Sequence, residues 1–460
     1  MSEIALFVDD YDIAASSGLT RVVHPGLKRP EPVISADRPW EEMLRIGGTV
    51  RKEDDLYRMW YQSYSKETQY INLYAESDDG LVWRKPSLGR CEDFNGALDN
   101  NIYLNRVSMR STARGPLTVT QDHNQNVLHT PHLGPGKTYT MLAYEYGRSS
   151  YGPYDGYYLA YSKDGIHWTD GPVEPVIPGH ADVGWFTFDE RDRLFRGIVK
   201  TFLNVRGHSR RSVLWTESAD ALEWSMPRPA IIPDEADDAW GRGDPDRYTQ
   251  FYGMPIFRYG PALVGFLQDF RCTDGTVSTD GYMDVQLVTS RDGRTWERTG
   301  DRTPIIGLGG DDDWDCGMVY TGNSFIEDGD DLRVYYWGSD SSHAGTTRDG
   351  LKETSSIGLA TWRRDRLSGL RAGSGGGELR MKPRAIGPEL HVNADASGGS
   401  VVAGVYVHGR PVPDMDISDC VPLTQDSLDH VFRWRGKTLA PVEGREIVLR
   451  FANAEVFSVW

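Results

Sequence analysis

Ser77-Asp78-Asp79-Gly80-Leu81-Val82-Trp83 decides the fold of this chain, because close copies of it return at Ser162-Lys163-Asp164-Gly165-Ile166-His167-Trp168 and Ser290-Arg291-Asp292-Gly293-Arg294-Thr295-Trp296. A variant reads Ser218-Ala219-Asp220-Ala221-Leu222-Glu223-Trp224, and a degenerate copy reads Thr361-Trp362-Arg363-Arg364-Asp365-Arg366-Leu367. Asp-Gly supplies the positive φ of a tight hairpin, and the tryptophan that follows can cover the turn. One such phrase is an ordinary hairpin. Five in order, each preceded by three strand-like runs, mark a repeat architecture.

The runs before each copy are short, rich in β-branched and aromatic residues, and punctuated by Gly, Asp and Pro. The first repeat holds Leu44–Val50, Leu56–Tyr61 and Tyr70–Ala75, and the second Val127–His129, Tyr139–Tyr144 and Tyr157–Tyr161. Val183–Phe188, Leu194–Val199 and Ser212–Thr216 make the third, and Phe251–Phe257, Ala262–Leu267 and Asp284–Thr289 the fourth. The fifth runs through Gly317–Tyr320, Leu332–Trp337 and Ile357–Thr361. No comparable stretch keeps a helical period. The expected fold is all-β: a five-bladed β-propeller over residues 1–372, with Leu6–Ile13 completing the last blade. Gly373-Ser374-Gly375-Gly376-Gly377 reads as a flexible hinge. The alternating runs from 378 to 460 read as a C-terminal β-sandwich that braces the propeller, with carbohydrate binding as its alternative role.

With 67 acidic against 50 basic residues in 460, the formal charge of −17 argues against nucleic acid or an anionic membrane surface as partner. Fourteen Trp and 23 Tyr offer rings for strand packing and for stacking on a sugar. Cys91, Cys272, Cys316 and Cys420 have no metal-type spacing and read as free, mostly buried thiols. The N-terminus shows no basic segment followed by an apolar run, so the expected location is cytoplasmic. No P-loop, dinucleotide fingerprint or nucleophile elbow is present, and no cofactor or metal is expected. Asp311-Asp312-Asp313 lacks the ligand alternation of a calcium loop and reads as a solvated turn. A homo-oligomer is compatible with the sequence.

The chain resembles the superfamily of five-bladed propeller glycosidases, which includes arabinanase-like, invertase-like and mannoside-phosphorylase-like enzymes. Besides the repeated hairpins, the resemblance is carried by Pro39-Trp40-Glu41-Glu42, by Asp315-Cys316-Gly317-Met318-Val319 and by Tyr335-Tyr336-Trp337-Gly338-Ser339-Asp340. It extends over nearly the whole chain, and with the appended sandwich it is similar to bacterial glycosidase-like proteins. It implies a carbohydrate substrate. The invertase-like Asn-Asp-Pro-Asn-Gly, Arg-Asp-Pro and Glu-Cys motifs are absent, so no catalytic set carries over by position.

Catalytic residues are therefore argued from chemistry. Glycoside cleavage needs one carboxyl to protonate the leaving oxygen and a second, ionised, to attack the anomeric carbon or activate water. Acids near the starts of inner strands can face one another across the axis. Asp182 and Asp246 are the expected pair, their oxygens roughly 5 to 10 Å apart, with Asp315 or Glu42 as a third carboxylate. An Asp before a strand also serves as an ordinary turn residue. Expected substrate contacts come from His129, His132, His180, Lys200, Arg247, Gln250, Tyr252 and His343. The expected activity is hydrolysis of a small oligosaccharide or glycoside, with furanosides included. Phosphorolysis at a cationic site (Lys200, Arg247 and the histidines) and non-catalytic carbohydrate binding are the alternatives. Two facing acids in one pocket would favour an enzyme; a single acid with aromatic walls would favour binding.

Overall fold

The repeated phrase folds the same way at its four better copies. Ser77 Oγ accepts a hydrogen bond from Gly80 N at 2.9 Å, and Asp79 Oδ1 accepts from Leu81 N and Val82 N at 2.7 and 2.9 Å. Ser162 with Asp164 and Ser290 with Asp292 repeat both contacts. Asp220 repeats its half of the pattern at 2.9 and 3.0 Å. The φ angles of Gly80, Gly165 and Gly293 are 73°, 79° and 75°, and Ala221 takes 64°. Indole N–H groups of Trp168, Trp224 and Trp296 then donate to the carbonyls of Gly165, Ala221 and Gly293. Short polar side chains thus hold the turn backbone while the ring seals it from water.

This geometry is seen in a computed structural model describing residues 4–65, 69–93, 95–104, 108–112, 115–149, 152–180, 182–275, 280–345, 354–434 and 442–460. Nearly all regular structure is β, in several antiparallel sheets. The first repeat pairs Met43–Glu53, Leu56–Ser65, Gln69–Ser77 and Ile102–Leu104 in order. The second pairs Gly115–His129, Tyr139–Ser149, Gly156–Ser162 and Trp168–Asp170, and the third Gly184–Asp189, Leu194–Val205, His208–Ser218 and Arg228–Ile231. The fourth and fifth centre on Ala262–Cys272 with Gly281–Ser290 and on Asp331–Ser339 with Ser355–Arg363. Their inner segments are Tyr248–Phe251 with Ile256–Tyr259, and Met318–Thr321 with Ile326–Asp328.

Each unit is tied to the next, and the fifth to the first. Trp60 Nε1 donates to Gly165 O at 2.8 Å, Asn126 Nδ2 to Gly184 O at 2.9 Å, and Arg210 Nη1 to Thr249 O at 3.0 Å. A parallel bridge joins Met283 to Met318, and Tyr335 Oη donates to Gly80 O at 2.7 Å. Inner segments meet at a filled centre. Asn126 Oδ1 accepts from Phe186 N at 3.1 Å and from Asn323 Nδ2 at 2.5 Å, and Trp185 Nε1 donates to Thr321 O at 3.2 Å. Gly253 permits this closure, because a Cβ there would fall 2.0 Å from the Trp185 ring.

The chain ends differ from expectation. Leu6–Ile13 does not complete the last unit: Ala5–Leu6 pairs with Ser458 and Val459, and Ile13–Ser17 pairs with the strand Gly377–Met381. Leu27–Lys28 instead forms the outer edge of the fifth unit against Ala360 and Thr361. That segment is two residues long and Leu27 is exposed, so no pattern announced it. Leu19–Val23 pairs with Ser368–Ala372, so both ends of the 1–372 segment lie in the C-terminal sheets. Two six-stranded sheets there share one core, with Leu379, Val401, Leu449 and Phe451 from one meeting Val392, Phe432, Val456 and Val459. The glycine run is not a hinge between bodies. It is a turn between strands of these two sheets, closed by Gly376 N donating to Gly373 O at 3.0 Å. The degenerate fifth copy is spent on the same junction: the Asp365 carboxylate accepts from Tyr259 Oη and Ser458 Oγ.

Ending the chain after Gly377 strips Ala5–Leu6 and Ile13–Ser17 of partners and exposes Phe7, Leu370 and Ala372, which the shared core buries. The expected product is aggregated protein. A monodisperse, cooperatively melting fragment by size-exclusion and calorimetry would contradict this.

Candidate functional site

Inner segments of the first, third, fourth and fifth units pass the filled centre, and two cavities lie along them. Arg45, Asp182, Tyr252, and Met318 with Tyr320 line one cavity. Further along the same segments, Thr49–Arg51, Phe186–Phe188, Phe257–Arg258, and Asn323 with Phe325 line the other. Trp185, Asn126 and Asn323 stand between them. The second cavity, about 240 Å³, has a floor of phenylalanines, and Arg258 on its rim is consumed by Asp189. The first, about 370 Å³, joins Arg45, Asp182 and His343 to four tyrosines and is the candidate site.

Its walls are Tyr64, Tyr70, Tyr320 and Trp337, with His343 at one side. Asp182, whose side chain is one-third exposed at 33 %, pairs with Lys200 Nζ at 2.7 Å. Lys200 rises from the second strand of the third unit, is 4 % exposed, and lies 4.2 Å from the centre of the Tyr252 ring. Tyr252 Oη is 3.2 Å from His343 Nε2. Arg45 sits among the faces of Trp337, Tyr64 and Tyr70, 5.6, 5.9 and 6.0 Å from their centres. Burial works against the Arg45 charge, but the phenol oxygens of Tyr70, Tyr320 and Tyr252 and the Asp182 carboxylate hold the guanidinium above its usual range. Burial pushes the Tyr70 phenol up to about 12, so it stays a neutral donor at physiological pH.

Of the expected residues, Asp182, Lys200, Tyr252 and His343 are brought together here. Asp246 is not. It is exposed in a turn, its N–H donating to Asp244 Oδ1 at 2.9 Å, and it lies outside the cavity lining. Asp315 is buried elsewhere, its Oδ2 taking Lys28 Nζ at 2.7 Å and Tyr336 Oη at 2.8 Å. Glu42 is exposed and holds Ser63 Oγ only through its backbone N–H. Asp246 and Glu42 are thus exposed acids beside strands, and Asp315 ties the edge segment Leu27–Lys28 to the fifth unit. No facing carboxylate pair lines the cavity among the described residues.

The other expected contacts also separate. His129 packs on Tyr139, and His132 stacks at 4.1 Å on Phe188, which lines the other cavity. His180 takes a left-handed φ of 66°, and burial lowers its pKa. Arg247 is exposed, its guanidinium 6.0 Å from the Trp240 ring centre. Gln250 is fully buried, its Oε1 accepting from Arg211 N and Nη1, both at 3.0 Å, as a tie between the third and fourth units. Sequence reading missed Arg45, Tyr64, Tyr70, Tyr320 and Trp337. Arg45 carried a signal, being the one charged residue between apolar neighbours Leu44 and Ile46 on an inner strand.

A second buried acidic group lies outside the cavity. Burial first, and then the Asp284 charge, push Asp269 up to about 7, with Arg271 and Arg298 opposing. Arg271 serves both carboxylates, so they cannot both ionise cheaply. Because the folded-state value lies above the unfolded one, the folded state binds the extra proton. Stability should be greatest below about pH 4 for this group and fall as pH rises towards 7. Asp269→Asn is expected to flatten that fall and raise the melting temperature at pH 7.5 more than at pH 5. Equal shifts at both pH values would contradict it.

No family model matches the chain, and no curated protein matches it in sequence. Solved structures do resemble it. An N-acetylgalactosamine deacetylase from F. plautii, in complex with blood group B trisaccharide, is 16% identical with a TM-score of 0.47, covering 76% of this chain and 97% of its own. A beta-1,2-mannobiose phosphorylase from Listeria innocua is 13% identical with a TM-score of 0.44, covering 76% and 98%. An alpha-L-arabinofuranosidase from Podospora anserina is 11% identical with a TM-score of 0.43, covering 74% and 98%. At such identities and scores the reading of the cavity rests on its own residues.

Proposed function

We propose that the chain is a five-bladed β-propeller with a β-sandwich built from both chain ends, and that its Arg45–Asp182–His343 cavity binds and hydrolyses a glycoside. What carries the reading is the meeting, in one aromatic-walled cavity, of an ion-paired carboxylate with a histidine–tyrosine pair. Aromatic faces stack on the apolar side of a sugar ring while polar groups take its hydroxyls. Asp182, paired with Lys200 at 2.7 Å, suits the role of base. It takes a proton from water as the water oxygen adds to the anomeric carbon. The leaving oxygen takes its proton from the His343–Tyr252 pair, so the donor is not the second carboxyl that Asp246 was expected to supply.

A binding protein without turnover is the second reading, favoured by Asp182 being the sole carboxylate among the described lining residues. A screen of aryl glycosides, furanosides included, with and without inorganic phosphate, tests the proposal. Phosphate-independent release of the aryl group is expected. Release only with phosphate would assign Arg45, Lys200 and His343 to a phosphate and make the protein a phosphorylase. Sugar binding without release on any glycoside would establish the second reading.

A further inference from the structure

Lys200 neutralises Asp182, but Arg45 has no carboxylate within 4.0 Å among the described residues. Its side chain is fixed by the faces of Tyr64, Tyr70 and Trp337, and its Nε is buried without a hydrogen-bond partner. Aromatic faces satisfy the flat sides of a guanidinium, and the Tyr320 phenol reaches its edge, but no carboxylate does among the described residues. Lys200, behind the lining, already occupies the Asp182 carboxylate, which leaves Arg45 as a lining cation without an ion pair among the described residues. A guanidinium edge matches a carboxylate with two parallel N–H···O bonds, a fit that a hydroxyl cannot reproduce.

We infer that the sugar taken by this cavity carries its own carboxylate, bound by Arg45, so that the substrate is a glycoside of an acidic, uronic-type sugar. This deepens the glycoside reading and rests on it. The carboxylate end of the sugar lies at Arg45, its ring stacks on the tyrosine and tryptophan walls, and its anomeric carbon faces Asp182 and His343. An anion arriving as free phosphate would use the same edge, and the experiment separates the two sources.

The test titrates the full chain at low salt with glucuronate and galacturonate, with glucose and galactose, and with inorganic phosphate. Each acidic sugar is expected to bind about tenfold or more tightly than its neutral counterpart, the scale of one charged hydrogen-bonded contact. That ratio should shrink as salt is raised. Arg45→Gln should collapse the ratio towards unity, and Arg45→Lys, which keeps the charge and loses the fork, should lower it in part. Should Arg45→Gln fail to fold, the partial loss in Arg45→Lys carries the test. Equal binding of acidic and neutral sugars to the unaltered protein, or a ratio unchanged in the variants, overturns the inference and leaves the glycoside reading standing. Phosphate binding through Arg45 without any preference for acidic sugars also overturns it. Binding of neither sugar class overturns both.

Discussion

Asp182→Asn is expected to lower turnover of a glycoside by about two to four orders of magnitude, the usual scale for acid–base participation, with the fold retained. Asparagine keeps the size of the side chain and its contact with Lys200 but cannot accept the proton of the attacking water. Lys200, 4 % exposed, then keeps a neutral partner in place of its counter-ion, and the stability cost should be about 3 kcal/mol. Asp246→Asn, in its exposed turn, should leave turnover unchanged. Comparing kcat for the two variants on one aryl glycoside checks the assignment. Loss of activity in the Asp246 variant with a normal Asp182 variant would reverse it.

Trp185→Ala is expected to have the largest effect on stability, about 3–5 kcal/mol, because it removes a large buried ring and leaves a cavity at the centre of the five units. Trp185 is 1 % exposed, packs against Gly253, and holds Thr321 O of the fifth unit through its indole N–H. Trp185→Phe keeps most of the ring and should cost less. Urea unfolding measures both. A loss below about 1 kcal/mol in the alanine variant would mean the centre collapses around the gap or does not depend on this ring.

The parts of the fold that were legible in the sequence are those built from local chemistry. Ser-x-Asp-Gly-x-x-Trp closes its own turn, with the serine and aspartate oxygens and the tryptophan N–H all bonded within seven residues, so each copy reports itself. The ends of the chain were misread because their partners are distant. Ala5 pairs with Val459, and nothing local to either residue states that. Gly373–Gly377 looked flexible by composition, yet its glycines serve a tight turn. Gly377 must also leave room for Leu19, whose Cδ2 would lie 2.2 Å from a Cβ placed there.

The site divides in the same way. Lys200 was visible as a polar residue inside an apolar strand, Tyr252 as part of an inner strand, His343 as a residue following a strand, and Asp182 as an acid before one. Asp246 and Glu42 carried the same signal and lie outside the cavity. A pre-strand acid reads identically whether it faces the axis or its own turn. The walls were invisible for a different reason: Tyr64, Tyr70, Tyr320 and Trp337 resemble the core aromatics that fill every strand of this chain.

A crystal structure of the protein soaked with sugars that bind in solution tests the Arg45–Asp182–His343 cavity most directly. A sugar ring is expected against Tyr64, Tyr70 and Trp337, between Arg45 and the Asp182–Lys200 pair, with His343 or Tyr252 reaching its glycosidic oxygen. A sugar bound instead in the phenylalanine-floored cavity, or on the C-terminal sheets with the Arg45 cavity empty, would contradict that placement.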